Sequence, residues 1–402
     1  MSEKTINLKG LIGIYSFLIT GSALNMTSGI LAYIMMTYSE VSPTNVALIM
    51  TIPAAVGTFF AFVSGSVLNR VGVRKLTLFC HTSQFLSGMI YLFFGNKTHI
   101  AVLYAAAALY GFLLGGYAVI QAQAFKDFVP DETVRGRFLG YATSMRSLGG
   151  VVMSTVGGMI AAVNSGAHWE RAFLLYFVMV LCIIIEYFTL PEGKPVKAVP
   201  EKAEATGTKE KLPLKVWLIS LHYLWFFLFL YVFSLNISEY VITTHSLGTS
   251  TQAGFCLSFL TIGGIISGVF YGRYSAVLKT WTMPVLLALC SLGLAIVVFI
   301  PNMIMLYIAS FLMGMAMMGT SPYITIELSR ICSGKTYTRA MSIYSGFTNG
   351  GMMFAVYILA FLAMVFVGDA NSVDGKFLIA FIGNLLVTVT AIPLFVRRKN
   401  EA

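Results

Sequence analysis

Residues 45–95 read NVALIMTIPAAVGTFFAFVSGSVL (45–68), NRVGVRK (69–75) and LTLFCHTSQFLSGMIYLFFG (76–95): an apolar run, a basic turn and a second apolar run. Each run is long enough to cross about 30 Å of hydrocarbon as a helix, since such a crossing takes roughly 20 apolar residues. Within lipid the backbone amides must be satisfied inside the helix or a closed barrel, and nothing here has the short alternation of a barrel strand. The stretch therefore fixes a pair of transmembrane helices joined by a tight, cationic turn.

The same alternation extends over the whole chain. Spans are expected at 10–34, 45–68, 76–95, 100–125, 138–163, 172–190, 214–236, 252–272, 281–300, 303–326, 340–367 and 377–396, which makes the fold an all-α integral membrane protein of 12 transmembrane helices. Composition agrees, with 57% hydrophobic and only 10% charged residues in 402. Met1–Lys9 runs straight into a full-length span, so no cleavable signal peptide is read there.

Of the 26 Lys and Arg, 22 fall on one face of this arrangement, only Lys97, Arg171 and Lys376 on the other, and Arg146 inside a span. Lys and Arg concentrate in cytoplasmic loops, so both termini and the central linker are expected in the cytoplasm, in a multi-pass protein of the cell membrane. The net charge of +10 is thereby accounted for and no nucleic-acid partner is read from it.

Residues 191–213, rich in Pro, Lys, Glu, Ala and Thr, read as a solvated cytoplasmic linker between an N-terminal six-helix bundle (1–190) and a C-terminal one (214–402). The halves repeat. Gly65 and Arg70 recur as Gly268 and Arg273, an offset of 203, and Arg137 recurs as Arg339, an offset of 202. Units with an even number of spans repeat in parallel about an axis along the membrane normal.

On these residues the chain resembles the major facilitator superfamily. Gly65-Ser-Val-Leu-Asn69-Arg70-Val-Gly72-Val-Arg74-Lys75 is similar to that family's loop between spans 2 and 3, with Asn69 where the family usually has Asp. Asp131-Glu132-Thr-Val-Arg135-Gly136-Arg137 resembles its loop 4–5, and Arg171-Ala-Phe173 its start of span six. The resemblance implies a secondary transporter working by alternating access, with a substrate site near midplane between the halves. Gly65, Asn69, Arg70, Gly72 and Arg74 are then gating residues: the glycines permit close approach, and the cations sit where helix C-termini and lipid phosphates offer negative charge. The span-five run Gly149-Gly150 to Gly157-Gly158 lacks the Gly-Pro usual in the family's drug/proton antiporters, having Ser154-Thr155 instead. The four-residue spacings Gly111–Gly115, Gly264–Gly268 and Gly346–Gly350 are read as helix-packing contacts.

Arg146 is the candidate substrate anchor. An arginine facing lipid at that depth costs at least about 2.5–3.5 kcal/mol, so it is expected to face protein or a water-filled cavity. All 16 acidic residues fall in loops, termini or, for Glu186, Glu239 and Glu327, near helix ends, which leaves no central carboxylate to neutralise it. An anionic substrate is the simplest counter-ion for a planar guanidinium. Asn25, Tyr117, His222, Tyr231, Tyr323, Tyr344 and Asn349 lie on spans that line the cavity in the family, and Asn349 follows Arg146 by the repeat offset of 203. His222 is suited to carry a proton near neutral pH. His81, on a helix peripheral in the family, is read as structural.

Five scattered cysteines give no disulfide framework, and no metal or phosphate-binding motif or hydrolase signature is present, so neither an enzyme nor a cofactor nor a metal is expected. The reading is secondary active transport of a small organic anion by proton symport or exchange, by a monomer in contact with membrane lipids. Proton-driven efflux of amphipathic compounds is the rival within transport, and a non-transporting membrane receptor or scaffold the rival of another class.

Overall fold

The computed structural model describes residues 6–129, 131–192, 212–332 and 334–396. Side chains at some helical positions, including Asn69, Arg135, Arg137 and Arg339, together with Gly65, lie outside that description.

Every regular element among the described residues is helical: α1 (Leu8–Ile19), α2 (Leu24–Thr37), α3 (Pro43–Val46), α4 (Leu48–Phe94), α5 (Ala101–Phe128), α6 (Glu132–Ala162), α7 (Val178–Thr189), α8 (Leu214–Glu239), α9 (Ser250–Leu278), α10 (Thr282–Phe299), α11 (Met303–Ile331), α12 (Gly334–Val367) and α13 (Val373–Phe395). Ten stretches among the described residues are long and apolar enough to cross a membrane. One of them, Ser250–Phe299, is 50 residues long and holds both α9 and α10. The expected span at 76–95 occupies the second arm of α4. The arrangement is thus consistent with twelve spans. Large apolar side chains stand outward, Phe366 being 74% exposed, which is tolerable only against lipid.

Local chemistry sets the breaks. α4 bends at Gly72 (φ 83, ψ 166), a conformation essentially restricted to glycine, so the basic turn after the second span depends on that residue. In the second half, the turn between α9 and α10 bends at Lys279 (φ 50). Helix starts carry side-chain caps: Asn7 accepts from the Gly10 N–H, Asn302 from the Ile304 N–H and Ser372 from the Gly375 N–H. The first span is interrupted at residues 20–23, where Thr-Gly-Ser-Ala separates α1 from α2. Two backbone groups at that break find side-chain partners: Gln84 Nε2 donates to the Thr20 carbonyl at 2.9 Å, and the Leu24 N–H donates to the Tyr110 hydroxyl at 3.1 Å.

The chain divides into two compact units, one joining the described residues up to Thr27 with those from Ile52 into the linker, the other joining Ser28–Thr51 with the helices that follow the linker. In the first unit, α6 lies so close to the end of α1 that a Cβ on Gly149 would stand 1.6 Å from the Ile19 carbonyl oxygen. Gly111 and Gly115 likewise meet α4. The expectation of packing contacts is corrected at Gly268 and Gly346, where a Cβ would meet nothing within 4 Å among the described residues, and nearly so at Gly350, where the first such atom is 3.8 Å away. Helical spacing alone does not say which face of a helix has a neighbour. In the second unit the C-terminal part of the first span packs on α8: Ser28 Oγ donates to the Ser234 carbonyl, the Ala32 N–H donates to Ser238 Oγ at 3.2 Å and Ser238 Oγ donates to the Gly29 carbonyl at 2.8 Å.

Candidate functional site

Arg146 lies midway along α6 and is half-buried. Its Nε donates to Ser22 Oγ at 3.1 Å, and its guanidinium carbon stands 4.4 Å from the centre of the Tyr117 ring on α5. A guanidinium over an aromatic face is held without being neutralised. Asn25 Nδ2 lies near Gly150, one turn beyond Arg146 on the same helix. The break in the first span brings Ser22 and Asn25 to this face of α6, so three of the expected residues, Asn25, Tyr117 and Arg146, converge in the first unit. No carboxylate makes an ion pair with Arg146 among the described residues. Ser22 was not singled out from the sequence, although small polar residues beside a glycine inside an apolar span are the usual mark of an interrupted helix.

The remaining expected residues belong to the second unit. His222 is buried, donates from Nε2 to the Val387 carbonyl at 2.8 Å and stacks edge-on to Phe395, which also meets Tyr323. Tyr231 donates to the Met50 carbonyl at 3.0 Å. Tyr344 is buried with its ring centre 4.8 Å from that of Tyr223, whose hydroxyl meets Thr320 Oγ1 at 3.0 Å. Asn349 is half-buried. Tyr323 lines a cavity of about 250 Å³ that also holds Glu327 and Arg330, the former bridged to Lys215 at 2.9 Å.

Of the residues expected to gate, Gly65 and the Asn69 side chain lie outside the described residues, Arg70 is exposed and Gly72 makes the bend. Arg74 is committed within its own unit: Nη1 bridges Glu192 Oε1 at 2.9 Å and the guanidinium lies 4.4 Å from the Tyr187 ring centre. No group of three or more His, Cys, Asp or Glu side chains suited to a metal occurs among the described residues.

A Major Facilitator Superfamily profile matches residues 14–276 and 224–402, nearly the full chain. The chain belongs to the Major Facilitator Superfamily. It is a multi-pass membrane transporter and not an enzyme. Among solved structures it is similar to the nucleoside transporter NupG, with a TM-score of 0.73 at 11% identity over 98% of this chain and 100% of that one. A single-substitution mutant of NupG gives a TM-score of 0.78 at 11% identity, over 97% and 100%. At that identity the likeness shows the Major Facilitator fold and nothing about the solute. No curated protein matches the chain by sequence.

Proposed function

We propose that this Major Facilitator protein carries a small organic anion across the cytoplasmic membrane by alternating access, with proton symport or exchange as the driving reaction. The observation that carries the reading is Arg146: a guanidinium inside a span, oriented by Ser22 and Tyr117 and given no carboxylate among the described residues. An anion supplies the missing charge, and Asn25, beside Gly150 one turn along α6, is a neutral donor for the same solute. Asn349, His222, Tyr231, Tyr323 and Tyr344 are the second half's candidate contributions, and Gly65, Asn69, Arg70, Gly72 and Arg74 the gating set. Residues 1–190 and 214–402 act as the two moving bundles joined by 191–213, both termini lie in the cytoplasm, and the working form is a monomer in lipid.

The test is flux into proteoliposomes, with and without a pH gradient, for labelled organic anions, nucleosides and lipophilic cations. Anions are expected to be accumulated, and Arg146→Gln to insert normally but carry none. Preference for a nucleoside or a cation, or normal anion flux by Arg146→Gln, overturns the reading, and saturable binding without flux makes the protein a receptor.

A further inference from the structure

His81 on α4 and Glu186 on α7 are fully buried, and His81 Nδ1 meets Glu186 Oε1 at 2.5 Å. The sequence treats these two residues separately, one as structural and one as close to a helix end; the fold joins them. On its other side His81 Nε2 lies 3.1 Å from Oγ1 of Thr20, the first residue of the break in the first span. Thr20 Oγ1 has two other acceptors in reach, the Phe17 carbonyl at 3.1 Å and Gln84 Oε1 at 3.3 Å. The second oxygen of Glu186 is buried without a partner among the described residues. A carboxylate left permanently charged with one oxygen bare is an expensive element of a purely structural pair.

We propose that His81 and Glu186 form a proton-binding site, and that its occupancy is coupled to Arg146 through residues 20–23. Loaded, the pair shares a proton along Nδ1–Oε1, Nε2–H donates to Thr20 Oγ1, and the Thr20 hydroxyl donates to Phe17 O or Gln84 Oε1. The site is then neutral. Unloading breaks the Nε2–H bond, leaves its electron pair on Nε2 and gives the proton to water. The Nδ1–H stays on Glu186, and Nε2 becomes an acceptor. Thr20 must now turn its hydroxyl to Nε2 and release whichever of Phe17 O and Gln84 Oε1 it held, and the site carries one negative charge.

The break conveys this change. Thr20 contacts the pair, Gln84 Nε2 holds the Thr20 carbonyl, and two residues further on Ser22 holds Arg146. The Phe17 ring touches both His81, at 5.7 Å between centres, and Tyr117, at 5.9 Å, the ring under Arg146. Charge favours the same coupling: unloaded, the negative pair offsets Arg146; with an anion on Arg146, loading the pair restores neutrality. Proton and anion therefore favour each other's binding in one-to-one ratio, a step that rests on the anion reading of Arg146. Among the described residues, the other titratable groups facing the pair are Cys80 from α4 and Cys182 from α7, with Tyr110 of α5 beyond Gln84.

The test needs no transported solute. Infrared pH-difference spectra of the purified full chain, with labelled histidine, read carboxyl and imidazole bands across about pH 5 to pH 8. Bands that vanish in both Glu186→Gln and His81→Gln are expected. In Arg146→Gln they should persist with a larger loaded fraction at neutral pH, because the unloaded charge has lost its partner. Thr20→Val, which keeps both titrating groups and covers the case in which the other variants fail to fold, should change the loaded fraction as well. Bands that survive Glu186→Gln, or a loaded fraction unmoved by both Arg146→Gln and Thr20→Val, would make the pair a fixed structural contact. Failure of the anion reading appears instead in the flux panel and leaves these spectra unchanged.

Discussion

The Arg146 guanidinium sits 4.4 Å from the centre of the Tyr117 ring, and Ser22 fixes its Nε from a third segment. The cation is thereby oriented by a ring face and a hydroxyl, with no carboxylate on it among the described residues. The ring face and the hydroxyl of Tyr117 have separable roles. Tyr117→Phe should keep anion affinity within a few-fold, whereas Tyr117→Leu loses a cation–π contact of about 0.5–2 kcal/mol, or about 2- to 30-fold in affinity. Equilibrium binding of the best anion from the flux panel decides it. Arg146→Lys keeps the charge but loses the fork, and should weaken binding by more than Tyr117→Phe does.

Gly72 holds the turn after the second span at φ 83 and ψ 166. Any Cβ there strains the backbone by roughly 1–3 kcal/mol, so Gly72→Ala should lower the melting temperature in detergent. Gly272→Ala is the matched control, since a Cβ at that helical position meets nothing within 4 Å. It should leave the melting temperature unchanged or slightly raised. Equal effects of the two changes would show that the Gly72 bend is not required.

Arg70 and Arg74 should separate in their phenotypes. Arg74 is already engaged by Glu192 and Tyr187, and because Glu192 is 86% exposed that ion pair is worth at most about 1 kcal/mol. Glu192→Gln is expected to change neither stability nor transport appreciably. Arg70 is exposed, and as the proposed gating cation it should matter to rate: Arg70→Ala should slow exchange while anion binding stays within a few-fold. Unaltered turnover at normal expression would remove Arg70 from the gate.

The spans were legible because hydropathy is a property of contiguous residues, and Arg146 stood out because an isolated cation in an apolar run needs no partner to be noticed. The pairing of His81 with Glu186 was not legible: 105 residues separate them, and each alone reads as an ordinary polar residue near a helix end or on an outer helix. Ser22 escaped for a related reason, since its role follows from a break whose geometry depends on Gln84 and Tyr110, residues of other helices. Gly346 and Gly268 were over-read in the opposite direction, since small residues at helical spacing announce a groove and not its occupant.

The hydrogen bonds from Ser28 to Ser234 and from Ala32 to Ser238 each bridge 206 residues. At about 5–20 residues per second of translation, the C-terminal half of the first span waits on the order of 10–40 s after its own synthesis before α8 leaves the ribosome. The earliest span to be inserted is therefore among the last to finish folding. During biogenesis its serine-bearing face has to be sheltered by the insertion machinery, by lipid or by a temporary neighbour.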